Sequence, residues 1–326
     1  MKEKRADVII PAYRPDDRFF LLVQRLMEQT CPPERIIVMN TEKALWDGAG
    51  AGERIRKLGA EELVSVRHVT RDEFDHGHTR NVGASLSEAP YMVFMTQDAV
   101  PEDRELIREL LSPMDEKVRM TYARQLPYPD ADPVERISRA FNYPDEKRVK
   151  TEADRETLGI KTYFASNVCA AYDREIFGKL GGFTDSTLFN EDMIYAAGLM
   201  KAGYAVCYAP DAMVRHSHSY TGMQQLKRNF DLAVSQADHP EVFSGLRSES
   251  EGIRLVKRSA KELIRAGKPL EIIRLVWLSG CKYLGYRLGK NYKRLPRGLI
   301  RRLTSSRRYW AEKERNGDTD YGKKGQ

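Results

Sequence analysis

One acidic side chain ends the apolar stretch "VFMTQDAVP", which runs from Val93 to Pro101. A carboxylate at the end of a buried strand commonly holds Mg²⁺ or Mn²⁺, which take one or two protein carboxylates and complete their shell with phosphate and water oxygens. Asp98 is therefore a candidate ligand for a divalent cation that binds a phosphorylated substrate. The alternative is that Asp98 caps a helix starting near Pro101, since aspartate is a common helix cap.

Two histidines in "VRHSHSY" could complete such a metal shell. His216 and His218 follow an apolar strand, and their spacing puts both side chains on one face of an extended segment. A carboxylate and an imidazole are acceptable ligands for Mn²⁺. We expect one histidine to bind the metal and the other to hydrogen-bond a loop, and we favour His216 as the ligand.

Adjacent carboxylates occur in "FNEDM", where Glu191 and Asp192 begin a predicted helix. A carboxylate can act as the general base that removes a proton from an attacking hydroxyl. Acidic residues at this position also cap helices and complement the charge at the helix N-terminus. Because acidic residues at helix starts are common, the pair alone favours the capping role.

The polar stretch "RDEFDHGHTRN" contains several acidic residues and two histidines. Its spacing fits no zinc pattern, so we do not expect a separate metal site there. Arg80 suits phosphate because the guanidinium presents paired donors. Gly77 allows a close backbone approach to a ligand.

Four apolar strands alternate with helical segments over the first hundred residues and must position these side chains. Such alternation predicts a mostly parallel sheet covered by helices. Ligands of open sheets bind at the carboxyl ends of the strands, so these ends should converge on one crevice. The predicted strand ends are Pro11–Tyr13, Asn40, His68–Arg71 and Thr96–Asp98.

The rest of the chain is less regular. The charged stretch "DEKRVKTEADRETLG" lacks periodicity and predicts a mobile loop. From about Met223 onward the pattern is helical. We therefore expect one domain over 1–222 and a helical, basic C-terminal region over 223–326, with the last residues disordered.

The net charge of +7 is unevenly distributed, since seventeen Lys and Arg but only two Glu occur between Arg254 and Arg308. In this region basic residues alternate with Leu, Ile, Trp and Tyr. Such helices can lie in a membrane interface, held by apolar burial and anionic lipid. The alternative is a helical bundle packed on the catalytic domain with a solvated basic face. No stretch reaches the 18 or so apolar residues of a spanning helix.

Five motifs occur in order and together resemble a known family: "VIIPAY", "FDHGHTRNVGAS", "FMTQDAVP", "GGF…NEDM" and "RHSHSY". They resemble the inverting nucleotide-sugar glycosyltransferases of family 2, closest to the bacterial rhamnosyltransferase branch, over about residues 6–220. The resemblance implies an α/β fold of the GT-A type, which is a Rossmann-like sheet with flanking helices. The basic helical extension lies outside it.

The resemblance also implies roles for the candidate residues. Asp192 would be the catalytic base, supported by Glu191, and Asp98 would hold Mg²⁺ or Mn²⁺ with His216. Thr96 stands where the family usually has a first aspartate. The expected acceptor-binding residues are Ser166 and Asn167. The expected donor-binding residues are Pro11, Ala12, Tyr13, Asn40, Arg80, Asn81, Gln97 and Asp98.

The implied donor is dTDP-rhamnose, although Asn40 replaces the family's aspartate and leaves UDP- and GDP-sugars open. The implied acceptor is a glycan or a polyprenyl-linked glycan of bacterial surface polysaccharide. The enzyme would then act in the cytoplasm, on the inner face of the cell membrane, with its C-terminal region on the anionic surface. A non-catalytic protein that binds nucleic acid or another anionic polymer is the competing hypothesis, but the first 250 residues contain no recognised nucleic-acid module.

Overall fold

The computed structural model describes residues 4–185, 187–246, 249–315, 317 and 321. Among these residues the chain divides into two compact units. The first unit comprises Met1–Pro129, Asn142–Asp185 and Glu191–Ser217, and the second comprises Asp130–Phe141, Ser186–Asn190 and His218–Gln326. The second unit thus begins its long segment five residues before the boundary expected from the sequence, and it also takes two short segments from the earlier chain.

The first unit contains a nine-stranded sheet. Along the main path the strands follow the order β3-β2-β1-β4-β8-β6-β9-β5, and β7 pairs with β9 beside that path. The strands are β1 (Ala6–Tyr13), β2 (Ile36–Thr41), β3 (Val64–Val69), β4 (Tyr91–Met95), β5 (Val100–Pro101), β6 (Val118–Leu126), β7 (Arg148–Lys150), β8 (Cys169–Asp173) and β9 (Ala205–Arg215).

The first four strands pair in parallel, as the alternation of strands and helices predicts. Strand β8 then pairs antiparallel with β4 and β6, whereas β6 pairs in parallel with β9. The short strands β5 and β7 both run antiparallel to β9. The sheet is therefore parallel on one side and mixed on the other, which is less parallel than the sequence indicated.

Helices cover this sheet through apolar faces. In α1 the side chain of Asp16 caps the start by accepting hydrogen bonds from the amides of Arg18 and Phe19, and Phe19 and Leu22 are fully buried. The helices of the first unit are α1 (Asp17–Met27), α2 (Lys43–Gly48), α3 (Ala51–Lys57), α4 (His76–Ser85), α5 (Leu106–Leu111), α7 (Arg155–Leu158), α8 (Arg174–Lys179) and α9 (Glu191–Lys201).

The prediction of a mobile loop in "DEKRVKTEADRETLG" is wrong. The segment forms β7, a 3₁₀ turn over Glu152–Asp154 and α7. Lys150 is buried, and its ammonium group donates to the carbonyls of Phe164 and Lys161. A buried lysine that binds carbonyl oxygens fixes a charged segment that no periodicity reveals.

The second unit is helical, as predicted. The close approach of α13 to α10 depends on glycine, since a Cβ on Gly285 would lie 2.2 Å from the carbonyl oxygen of Leu226, and one on Gly289 would lie 2.3 Å from that of Phe230. Its helices are α6 (Pro133–Asn142, whose last residue belongs to the first unit), α10 (Gly222–Asp238), α11 (Pro240–Phe243), α12 (Glu249–Arg265), α13 (Glu271–Lys290), α14 (Arg297–Leu303) and α15 (Arg307–Arg315).

None of the helices in the described ranges combines the length and the apolar composition that a bilayer span requires. The predicted disorder of the last residues concerns 316, 318–320 and 322–326, which lie outside the described residues.

Candidate active site

The carboxyl ends of the first four strands converge, as predicted. The side chain of Asn40, at the end of β2, bonds the ring of His68, at the end of β3, at 2.9 Å. The carboxamide of Gln97, just after β4, accepts from the amide of Tyr13 at 2.8 Å and donates to its carbonyl at 3.0 Å. Gln97 therefore ties the ends of β1 and β4 together.

Asp98 and His216 meet at this edge of the sheet. Their nearest atoms, Oδ2 and Nε2, are 3.6 Å apart, and the imidazole is almost fully buried. The Nδ1 of His216 lies 3.1 Å from Oε1 of Gln125, whose Nε2 donates to Tyr143 and Ser166. Since Oε1 can only accept, Nδ1 donates to it, and Nε2 is the ring nitrogen that faces Asp98.

These groups fit a divalent cation. A carboxylate oxygen and an imidazole nitrogen whose ligand atoms lie within 4.8 Å of each other match the donors that Mn²⁺ accepts. Two residues before Asp98, Thr96 adds a buried hydroxyl that has no hydrogen-bond partner among the described residues. His218, the other candidate ligand, is the first residue of the long segment of the second unit.

Glu191 is ionised through a buried ion pair. Its Oε1 lies 3.2 Å from Nη1 of Arg80, and both side chains are about nine-tenths buried. Burial raises the pKa of Glu191, but the Arg80 guanidinium, the nearby His76 and a hydrogen bond from Asn167 outweigh it, so the pKa lies below its usual value. Asn167 is itself held by the hydroxyl of Tyr172, which donates to its Oδ1 at 2.6 Å.

Asp192 has the opposite character, although it is the next residue. Burial and the negative charge of Glu191 raise the pKa of Asp192 to about 7, against the hydrogen bonds from the amides of Asn167 and Met193. The residue remains partly exposed. A half-buried carboxylate that takes up a proton near neutral pH has the properties of a general base.

Residues 166–168 connect the two carboxylate sites. The Ser166 hydroxyl accepts from Gln125, which holds His216, while the Asn167 amide donates to Asp192 at 3.0 Å. The carbonyl of Val168 accepts from the amide of Thr96 at 3.1 Å. One short segment before β8 therefore contacts the edge that holds Asp98 and His216 as well as the candidate base.

The motif "HGHTRN" fixes the loop before α9. Asn81 donates to the carbonyl of Phe183 at 2.8 Å and accepts from its amide at 2.9 Å. Gly77 is required because a Cβ there would lie 2.0 Å from the carbonyl oxygen of Thr184. Arg80 and Asn81 thus bond within the protein, and their contact with a donor stays a prediction.

The remaining donor-binding candidates lie at the ends of β1 and β2. Pro11 and Ala12 pair in register with Met39 and Asn40, and Asn40 is fully buried. The ring of Tyr13 lies below two guanidinium groups, those of Arg14 and Arg71, at 5.2 and 5.3 Å from its centre. Donor contacts by these residues also stay predictions, as do acceptor contacts by Ser166 and Asn167.

Sequence reasoning missed two residues of the site, Gln125 and Tyr172, and gave no role to Arg71. Gln125 and Tyr172 lie in buried strands, where a polar residue among apolar neighbours is the available signal. Arg71 follows the end of β3 and contacts the Tyr13 hydroxyl. The sequence placed it at a predicted strand end, where ligands of open sheets bind.

The sequence matches the family described as "Glycosyl transferase family 2" over residues 7–181. It is also 35% identical over 308 residues to the O-antigen chain rhamnosyltransferase RfbN of Salmonella typhimurium, covering 93% of this chain and 95% of that protein. The O-antigen chain rhamnosyltransferase WbaN of Salmonella anatum is 36% identical over 309 residues, with the same coverage.

A solved structure has a similar fold. The mannosyltransferase PcManGT from Pyrobaculum calidifontis, determined in complex with GDP-Man and Mn²⁺, superposes with a TM-score of 0.53 at 16% identity. The match covers 96% of this chain and 84% of that one. At this identity the likeness concerns the fold, which is of the GT-A type.

Proposed function

The chain belongs to glycosyl transferase family 2, and from this premise we propose that it is an inverting rhamnosyltransferase of surface polysaccharide synthesis. The family and the two rhamnosyltransferase relatives support sugar transfer from a nucleotide donor. Inversion at the anomeric carbon, dTDP-rhamnose as donor and dependence on a divalent cation are the finer parts of the proposal.

One observation carries the proposal: residues 166–168 contact Asp192 on one side, and Thr96 and Gln125 on the other. A single displacement needs a base for the acceptor and a separate group for the leaving diphosphate. The carboxylate with the raised pKa and the Asp98–His216 pair meet these two needs at the same edge of the sheet.

In the proposed reaction the acceptor hydroxyl attacks the anomeric carbon from the face opposite the diphosphate. Asp192 accepts the hydroxyl proton as the new glycosidic bond forms. The bond between the anomeric carbon and the phosphate oxygen breaks, and its electrons leave with the nucleoside diphosphate. A divalent cation held by Asp98 and His216 would neutralise charge on that leaving group.

The difference between the two adjacent carboxylates explains their proposed roles. Glu191 is fixed by Arg80 and Asn167, so it is not available to take a proton. Its negative charge instead raises the proton affinity of Asp192. A base whose pKa lies near the working pH is deprotonated often enough to act and basic enough to accept the proton.

For the donor, we propose that Tyr13, Arg14 and Arg71 contact the nucleotide. The two guanidinium groups over the tyrosine ring offer paired donors to a diphosphate, and the ring offers an apolar face. Gln97 and Asn81 would act indirectly, because their carboxamides hold the backbone that forms the crevice. Ser166 and Asn167 would likewise position the site beneath the acceptor.

For the acceptor, we propose a growing glycan on a polyprenyl lipid. The enzyme would then act in the cytoplasm at the inner face of the cell membrane. The strongly basic sequence between Arg254 and Arg308 supports contact with an anionic surface.

A donor panel tests the proposal. Calorimetry with dTDP, UDP and GDP, each with and without Mn²⁺, measures base preference and metal dependence together. We expect dTDP to bind more tightly than the other two, and Mn²⁺ to strengthen its binding. Preference for UDP or GDP would reject the rhamnose donor, and equal binding with a chelator present would reject the metal. The configuration of the product, determined by NMR, tests inversion.

A further inference from the structure

We propose that the outward face of α13 binds the surface of an anionic lipid bilayer. This outward face consists of Leu270, at the start of the helix, and Ile273, Val276, Trp277, Tyr283 and Leu284. This proposal rests on the proposed function, in which the acceptor is lipid-linked. It names the surface through which the enzyme would reach that acceptor.

The six side chains of the outward face, together with Gly280, follow the three- and four-residue spacing of one side of the helix. Each is between 50% and 80% exposed. Gly280 and Arg287 occupy the two remaining positions of the same side and are also exposed. An apolar stripe about four turns long, from Leu270 to Leu284, is thus exposed among the described residues.

The packing of the bundle uses Trp277 from this stripe, because the edge of its indole ring lies against Gly222 of α10. The opposite side of α13 also supplies contacts, with Leu275 and Leu278 buried against α12 and α6, and Gly285 and Gly289 against α10. Soluble proteins rarely expose contiguous apolar surface, and a larger patch marks an interaction site. The outward face is therefore a candidate interaction site.

The charges around the stripe favour anionic lipid over a second copy of the chain. On α12, Lys257 and Lys261 are exposed between Ile253 and Ile264, which are also exposed and share their side of the helix. Lys268 precedes α13. Two such basic surfaces would repel each other, whereas anionic headgroups attract lysine and arginine near the membrane.

The composition of the stripe also suits a membrane interface. Trp277 and Tyr283 stand among aliphatic residues, and both types are enriched at the level of the headgroups, where one end of the side chain is apolar and the other is wet. A helix with this apolar face and surrounding basic residues would lie in the plane of the interface.

Trp277 provides a direct probe. The chain has three tryptophans, and the other two, Trp46 and Trp310, are 5% and 1% exposed. With the full-length protein, we expect vesicles of phosphatidylglycerol to shift Trp277 emission to shorter wavelength, and brominated lipid to quench it. Phosphatidylcholine vesicles should give a smaller change.

The decisive variant is Ile273→Asp with Leu284→Asp, which keeps Trp277. Because both side chains are exposed, we expect an unchanged fold by circular dichroism and vesicle partitioning at least about tenfold weaker. The matched control, Leu86→Asp with Val149→Asp, changes two exposed apolar residues of the first unit and should bind vesicles as the parent protein does.

Unchanged Trp277 emission with phosphatidylglycerol would overturn the proposal, as would equal loss in the control pair. Sedimentation showing a dimer that the α13 variant dissociates would assign the outward face to a second copy instead. Transfer to a water-soluble acceptor separates the two hypotheses: if transfer persists while vesicles do not bind, only the docking surface is rejected.

Discussion

The candidate active site and the outward face of α13 depart from the usual distribution of residues in opposite ways. Around Glu191, charged and polar groups are buried, and each is held by a named partner such as Arg80 or Asn167. On α13, apolar side chains that could form a core are exposed instead.

Both arrangements forgo folding free energy that an ordinary distribution of residues would provide. A buried ion pair is often no more stable than apolar residues of the same volume. An exposed apolar stripe loses the burial energy of its side chains. The buried charges instead raise the proton affinity of Asp192, and the exposed stripe suits the proposed lipid partner. Each region therefore serves a proposed function at the expense of stability.

The largest effect is expected from a change in the candidate active site. Asp192→Asn keeps the shape but removes the base, and sugar transfer should fall by roughly 10²- to 10⁴-fold, the usual contribution of general-base catalysis. Calorimetry should show nucleotide binding close to that of the parent protein. The control Asp211→Asn changes an exposed carboxylate of β9 and should leave the rate unchanged. Full activity in Asp192→Asn would reject this residue as the base.

A second change tests whether Gln125 orients His216, the proposed metal ligand. Gln125→Met removes the acceptor for Nδ1 of His216, and Mn²⁺ affinity should fall roughly 10- to 100-fold, as for other groups that orient a metal-binding histidine. Titration of the nucleotide-free protein with Mn²⁺ measures this without catalysis. Tyr143→Phe is the control, because it leaves the Oε1 contact in place. Equal affinity in all three proteins would contradict the orienting role.

A third change tests the inward side of α13. Gly285→Ala places a Cβ against the carbonyl oxygen of Leu226 and should destabilise the second unit by about 1–3 kcal/mol, as overpacking does. The same substitution at Gly280 meets nothing within 4 Å and should stabilise the helix by about 0.5–1 kcal/mol. Thermal denaturation distinguishes the two, and similar melting temperatures would refute the tight packing.

A smaller effect is expected on the pH dependence of the candidate active site. The raised pKa of Asp192 means that the base is protonated below about pH 7, so kcat/KM should rise with pH up to that range and then level off. Glu191→Gln removes the negative charge that raises this pKa and leaves Arg80 positive, so the rising limb should move to lower pH. If the rising limb stays at the same pH in a variant that keeps its melting temperature, Glu191 does not raise the pKa of Asp192.

The smallest effect concerns both regions together. The α13 variant that weakens vesicle binding should leave kcat toward a water-soluble acceptor within about twofold of the parent value, since surface changes away from a site are usually near neutral. A large loss of kcat would mean that the outward face takes part in catalysis.

The sequence predicts the parallel strands well because apolar runs and strand ends carry strong local signals. It does not predict which polar side chains face the backbone. Asn81, Gln97 and Asn167 all bond main-chain or side-chain groups of distant segments. Their residue types suit ligand contacts equally well, and only the three-dimensional arrangement separates the two uses.

Long-range pairing also limits the prediction of the antiparallel strands. β8 inserts between β4 and β6, although β6 precedes it by more than forty residues. Lys150 fixes β7 through carbonyls that come later in the chain. Neither arrangement leaves a periodic pattern in its own segment.

The carboxamide of Gln97 acts as a spacer for the crevice. The ladder between β1 and β4 ends at Ile9 and Phe94. Four residues further along β1, the Gln97 side chain bonds both main-chain groups of Tyr13, as a neighbouring strand would. A shorter or charged residue could not make both bonds, and the mouth between the strands would be free to widen. The middle residue of "TQD" thus fixes the distance between the ends of β1 and β4 beyond the last pair of their ladder.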